Sequence, residues 1–346
     1  MGKRLYDLVR GYRTLSIAGM CKNAGKTTAL GSILSNCPDG ETIALTSIGR
    51  DGESEDVLTG APKPAINIRK GSIYATAEEL LPKCEPRGEA LTGTGVFTPL
   101  GEVLILRAPD DGKVELAGPS MVTQLVGISQ LFLEYGADRI IIDGAMGRKS
   151  LCSRSLSEAA ILCAGAACGD NIDEVVAGTA HVCRLLMTPE DRDAAAEIGL
   201  GYRAKKLLLV GNGNEPFPDG ADLAAALKYA DKPRLLYIEG AVTDRMIEPL
   251  LHIKLPSDFR IIARDASKLL LSAVCATRFL RRGGRFGVLE GIRLAAITIN
   301  PYAAFGNSFD NAEFLEKMAV AVPVPVINVI TDDCRLRKSR AATCRP

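Results

Sequence analysis

The stretch Ser16-Ile17-Ala18-Gly19-Met20-Cys21-Lys22-Asn23-Ala24-Gly25-Lys26-Thr27-Thr28 runs a short apolar strand into a turn ending Gly-Lys-Thr and then into helix-forming residues. Ala29, Leu30 and Leu34 follow at helical spacing. The backbone amides of Asn23 to Thr28 are therefore expected to point out of a helix N-terminus, where partial positive charge collects and an anion fits. Residue type then assigns roles at a nucleotide phosphate site. Lys26 reaches the β- and γ-phosphates, the Thr27 hydroxyl joins a Mg2+ shell, and Gly25 lets the backbone approach. Asn23, Ala24 and Thr28 contribute amides. The usual spacing of such a loop asks for Gly or Ala six residues before the lysine; this chain has Met20 there, with Gly19 one place early.

Working outward, Glu41 to Ser47 reads as a second strand, and Ser47-Ile48-Gly49-Arg50-Asp51-Gly52-Glu53 as a polar loop at its C-terminal end, where ligands sit in open α/β sheets. Asp51 is the candidate carboxylate for the attacking group. The acidic run that continues through Glu53, Glu55 and Asp56 reads equally well as a solvated loop. Residues 64 to 75 alternate around Lys70-Gly71 and suggest a hairpin, the start of an insertion over about 64–118. Residues 120 to 135 read as a helix capped by Ser120 and closed by Gly136. The run Arg139-Ile140-Ile141-Ile142-Asp143 has the composition of a buried parallel strand, and its terminal Asp143 is the second candidate Mg2+ ligand. Lys26, Asp51 and Asp143 are thus the candidate catalytic residues.

Thr188-Pro189-Glu190 reads as a helix start. Further strands are read at 206–210, 234–238, 260–263, 294–298 and 325–329, separated by helical stretches. The alternation gives an α/β class: a nucleotide-binding parallel-sheet domain over 1–202, a second α/β domain over 203–333, and a basic tail over 334–346 expected to be mobile. Asn300 and Asn212 each end a strand, where either reads as a purine-edge partner or as a turn residue, so ATP and GTP both stay open.

The chain has 346 residues, 47% of them hydrophobic, enough for packed cores. Lys plus Arg number 42 against 41 Asp plus Glu, leaving no overall field for nucleic acid or a membrane surface. No apolar run reaches the roughly eighteen residues a span requires, and no signal-peptide core is seen, so a cytoplasmic protein is expected. Ten cysteines without Cys-x-x-Cys pairs read as free thiols in a reducing compartment. Cys163, Cys168, His181 and Cys183 read as packed residues in preference to a metal set, because His181 and Cys183 would point to different helix faces.

Gly-Lys-Thr-Thr opening the first helix, an acidic loop after the second strand and an apolar strand ending Asp143-Gly144-Ala145 together resemble the P-loop group that includes dethiobiotin synthetase and the partitioning ATPases. The partitioning ATPases carry a signature lysine where this chain has Cys21, with Lys22 one place later. A narrower similarity joins Gly49-Arg50-Asp51-Gly52-Glu53, Leu116-Ala117-Gly118-Pro119-Ser120 and Asp143 to Ser150 with the loop: these resemble the ATPase-type reactivase subunit associated with lysine 5,6-aminomutase. That resemblance implies a Mg-ATP hydrolase acting on an adenosylcobalamin-dependent aminomutase with a second accessory subunit, the cobalamin and pyridoxal phosphate being held by the partner. His181 and His252 are the chain's two histidines, and neither lies in an Asp-x-His-x-x-Gly loop. The wider group implies instead a small-molecule ligase or kinase; a non-hydrolysing nucleotide-binding protein is the third reading. Self-association into a homo-oligomer is a further expectation.

Overall fold

The computed structural model describes residues 4–51, 66–144, 156–199, 207–212, 214–217, 222–256, 258–303, 308–331 and 333–335. Its largest element is a ten-stranded sheet. In spatial order the strands are Asp333–Arg335, Val326–Asn328, Leu294–Asn300, Ala159–Gly165, Thr14–Gly19, Arg139–Asp143, Ile43–Ser47, Ile73–Ala77, Gly101–Arg107 and Glu89–Thr98. The strands from Val326–Asn328 to Ile73–Ala77 run parallel, and antiparallel strands close both edges. Thr14–Gly19 lies in the middle of the parallel block, which is why it is buried along nearly its whole length.

Both faces of this sheet are covered, as a parallel block requires. Ile141 joins the core on one face together with Leu15, Ile17 and Ile161, against Leu30 and Ile33 of the helix Lys26–Asn36. Ile140 and Ile142 join the opposite core with Ala44 and Ile73, against Leu125, Ile128 and Phe132 of the helix Val122–Glu134. The three consecutive isoleucines are therefore divided between two cores by the period of the strand.

The chain forms two compact units, Met1–Ala180 with Arg293–Pro346, and His181–Ile292. This division differs from a linear split at 202/203. Leu294–Asn300 and Val326–Asn328 return to the first sheet, because an apolar strand pattern does not specify which sheet it joins. The second unit is itself α/β. Its sheet runs Asn214–Phe217, Leu207–Val210, Leu235–Ile238, Arg260–Asp265, Arg285–Glu290, the last three parallel.

Several local expectations are corrected. Residues 64 to 75 do not make a hairpin: Ile66–Ile68 pairs with Gly112–Val114, whereas Ile73–Ala77 enters the main sheet beside Ile43–Ser47. The turn at Lys70-Gly71 is held by Ala108, which exchanges backbone hydrogen bonds with Gly71 and Ser72 at 2.8 Å. The hairpin of this region is Glu89–Thr98 with Gly101–Arg107. The helix expected from 120 is capped at Met121, without a side-chain bond, though Gly136 does take the left-handed conformation that closes it. The helix expected from Thr188 begins at Arg192, where Asp191 caps Ala194. Cys334, assigned to a mobile tail, lies in the edge strand Asp333–Arg335; residues 336–346 lie outside the described part.

The strand ending in Asp143 is anchored at its start by a buried ion pair. Arg139, 6% exposed, donates from Nε to Glu41 at 2.7 Å with Nη2 at ion-pair distance of the same carboxylate, and Nη1 and Nη2 donate to the carbonyls of Val9, Arg10 and Tyr12. Burial alone would raise the Glu41 carboxyl, but hydrogen bonds from Tyr6 and Cys37 and the Arg139 charge outweigh it, so Glu41 lies below its ordinary value. In the second unit, bonds and charge from Arg234 and Arg260 likewise outweigh burial at Glu197. A depressed folded-state pKa contributes stability that is present above the unfolded value of 4.5 and lost as pH falls through the folded value. Urea midpoints measured from pH 7 down to pH 3 should therefore fall below about pH 4.5. Glu41→Gln should be less stable than wild type at neutral pH and lose less on acidification; an unchanged acid slope would show that Glu41 does not contribute.

Candidate functional site

The turn after Thr14–Gly19 is shaped from the neighbouring strand. Met20 donates its backbone N–H to Cys163 of Ala159–Gly165 at 2.8 Å, which holds the chain before it leaves the sheet. Asn23 and Gly25 then take left-handed φ values of 61° and 96°, the alternation that turns successive N–H groups toward one concavity. Ala24 between them is buried against Gly165, where a β-carbon would stand 3.2 Å from the Ala24 Cα and carbonyl oxygen. Lys26 opens the helix Lys26–Asn36 with Gly25 as its N-cap. Gly25 has no side chain with which to cap this terminus and its first turn carries no acidic residue, so the positive end of the helix is turned to the concavity.

The departure at Met20 has a structural account. Met20 does not take a left-handed φ, so the backbone accepts a side chain there. The close approach occurs at Gly19, where a β-carbon would lie 3.2 Å from Cγ and Cδ of Lys26. The lysine stem passes over the glycine that the sequence places one position early.

Asp143 ends the adjacent parallel strand, in register with Ile17 on one side and Ser47 on the other. It is 1% exposed. The chain on either side of it is fixed: Gly144 N–H donates to Ile17 at 2.9 Å, and Ile48 N–H donates to the Asp143 carbonyl at 3.1 Å. On the other side of Thr14–Gly19 from Asp143, in register with Gly19, lies Cys163, wholly buried. Burial pushes its thiol up to about 12; the neighbouring Thr298 hydroxyl and the Lys26 charge pull it down, and the Asp143 charge raises it further. Lys26 follows the C-terminal end of Thr14–Gly19 and Asp143 ends the parallel strand beside it, so the cation and the carboxylate belong to the same end of the sheet.

Of the residues read from sequence, Asn23, Ala24, Gly25, Lys26, Thr27, Thr28 and Asp143 converge at the C-terminal ends of two neighbouring parallel strands. Asp51 is a different case. Its backbone pairs with Leu116 in the short ladder Arg50–Asp51 with Leu116–Ala117, while its side chain lies outside the described part. Glu53, Glu55 and Asp56, and residues 145–150 of the stretch that carries the narrower resemblance, lie outside the described residues. Asn300, in register with Gly165, stands over the turn: a β-carbon on Gly25 would meet its Cβ at 2.9 Å. Its Oδ1 accepts the Tyr302 N–H at 3.1 Å. Asn212 instead donates its amide to Asp231 at 2.7 Å in a local turn of the second unit, which accounts for that residue without a ligand.

Residue patterns gave no sign of two features. Thr298 enters the site because its strand returns to the first sheet beside Ala159–Gly165. Cys21 and Cys168 form a disulfide, with Cα atoms 5.4 Å apart at a sequence separation of 147. This corrects the reading of free thiols throughout, and no local spacing could have announced it. Cys163, Cys183, Cys37, Cys84 and Cys275 are free and buried. Among the described residues no group of three or more His, Cys, Asp or Glu side chains is placed to hold a metal ion by itself, and no helix is long and apolar enough to cross a membrane. No protein-family model, curated protein or solved structure matches the chain.

Proposed function

We propose that this chain is a Mg2+-dependent P-loop nucleoside triphosphatase whose hydrolysis acts on a protein partner. The observation that carries the nucleotide reading is the uncapped, glycine-led N-terminus of Lys26–Asn36, opening beside a buried Asp143 on the next strand. The fit is chemical. The Asn23 to Thr28 amides and the Lys26 ammonium would hold phosphate oxygens, and Thr27 and Asp143 would hold the cation. Bound Mg2+ would supply neutralisation of phosphate charge. Gly19 and Gly25 keep side chains out of the way, and Asp51 is assigned to orient the attacking group. Asn300 is the candidate for contact with a base.

The partner reading rests on the sequence resemblance and names an adenosylcobalamin-dependent aminomutase with a second accessory subunit. A cytoplasmic setting goes with it, since that is where the nucleotide is supplied. Calorimetric titration of Mg-ATP and Mg-GTP into wild type and Lys26→Ala tests the nucleotide site. Losing the charge-assisted contacts should cost about 1.5–3 kcal/mol, a weakening of about ten- to a hundredfold. Equal affinity in the variant would overturn the assignment. Phosphate release should be slow for the chain alone and rise with the damaged aminomutase and its accessory subunit. Stoichiometric product from a carboxylate metabolite would replace the partner reading with a ligase.

A further inference from the structure

The disulfide lies inside the turn just described. Cys21 is five positions before Lys26, and Cys168 ends the short 3-10 turn Ala166–Cys168 that follows the strand Ala159–Gly165. Both are only partly buried, so a small thiol can reach them. The free cysteines of the same region differ: Cys163 is wholly buried and its thiol is held protonated. Accessibility separates an exchangeable pair from an inert neighbour.

The crosslink acts on a segment that needs holding. The turn is fastened to one neighbouring strand and its extension at three points: Met20 N–H on Cys163, Ala24 packed on Gly165, and Cys21 bonded to Cys168. Between the last two anchors lies Asn23, a non-glycine residue at φ 61°, in a left-handed conformation that Asn tolerates better than most side chains but still at some cost relative to extended or helical backbone. Cutting the bond removes the anchor nearest to Asn23 on its N-terminal side. The amides that line the concavity then lose their alignment.

We propose that Cys21–Cys168 is a reversible thiol–disulfide switch that sets the anion affinity of the Gly-Lys-Thr turn, high when oxidised and low when reduced; it rests on the nucleotide reading above. The reductant is a dithiol. Its thiolate attacks one sulfur of the pair, the Cys21–Cys168 bond breaks, and the released cysteine sulfur takes a proton. The dithiol's second thiol, as thiolate, then attacks the mixed disulfide. This forms the dithiol's own disulfide and frees the other cysteine, which is protonated in turn, for a total of two electrons and two protons. Oxidised dithiol runs the exchange backwards. By reciprocity, whatever factor oxidation adds to nucleotide affinity, bound nucleotide adds to the resistance of the bond to reduction.

The test uses the full chain equilibrated in oxidised or reduced dithiothreitol. Mg-ATP affinity should be about tenfold weaker in the reduced protein, and amide exchange of residues 22–25 faster without any nucleotide. Cys168→Ser should show the weak affinity and fast exchange in both buffers. Iodoacetamide should leave Cys21 and Cys168 unlabelled in the oxidised protein and label both after reduction. Labelling of either in the oxidised protein, or exchange that does not respond to redox state, overturns the switch whatever the affinity. Equal Mg-ATP affinity in the two states overturns its control of binding. Redox-dependent exchange with no Mg-ATP binding in either state overturns the nucleotide reading instead and leaves the loop device standing.

Discussion

Arg139→Ala is expected to destabilise the protein by about 3–5 kcal/mol, the range for removing one partner of a buried ion pair. The guanidinium serves Glu41 and three backbone carbonyls at once and lies 5.5 Å from the Tyr6 ring centroid. Its removal leaves the Glu41 carboxylate, 14% exposed, without its cation, and strips donors from the segment between the short helix Leu5–Val9 and Thr14–Gly19. Arg139→Lys should recover little, because a single ammonium cannot serve donors arranged as a planar fork. Urea unfolding at neutral pH measures both variants. A loss below about 1 kcal/mol for the alanine variant would mean that solvent or rearrangement replaces these bonds, as it does for surface pairs. Arg139 begins the strand that Asp143 ends, so fixing one end of a five-residue strand also fixes the carboxylate at the other.

The parts legible in sequence were those that local chemistry determines. The strand, turn and helix from Ser16 to Leu34 could be read because glycine, lysine and apolar spacing each act over a few residues. The strand Arg139–Asp143 could be read because three consecutive isoleucines have no place on a half-solvated sheet. Pairing was not legible in this way. Ile66–Ile68 and Ile73–Ala77 flank a turn signal, yet Tyr74 and Ala75 bury both sheet faces beside Ile43–Ser47, and no hairpin partner could offer that. Leu294–Asn300 reads like any strand of the second unit, and only its neighbours in space distinguish it. Thr298 and Asn300 therefore reach the site by topology. The Cys21–Cys168 pair is the extreme case, since residues 147 apart in sequence carry no mutual pattern.

Gly25→Ala should abolish most of the anion affinity while leaving the fold intact, for two reasons that can be separated. The residue sits at φ 96°, where a β-carbon costs about 1–2 kcal/mol. The added methyl would also stand 2.9 Å from Cβ of Asn300, an atom fixed by the strand Leu294–Asn300 and unable to swing aside. Overpacking of that kind costs about 1–3 kcal/mol. The turn can escape both terms by leaving its left-handed conformation, which turns its amides away from the concavity. The sum, about 2–5 kcal/mol, then appears as lost binding, at least about thirtyfold for Mg-ATP. Gly25→Ala with Asn300→Gly relieves the contact but not the φ, so comparing it with Asn300→Gly alone should show only part of that penalty. Gly31→Ala is the matched control: it lies in the same helix, with nothing within 4 Å of its added carbon. It should bind as wild type does and be more stable by about 0.5–1 kcal/mol. Wild-type affinity in Gly25→Ala would mean that the turn's left-handed shape is not what holds the anion, and the proposed nucleotide site would go with it.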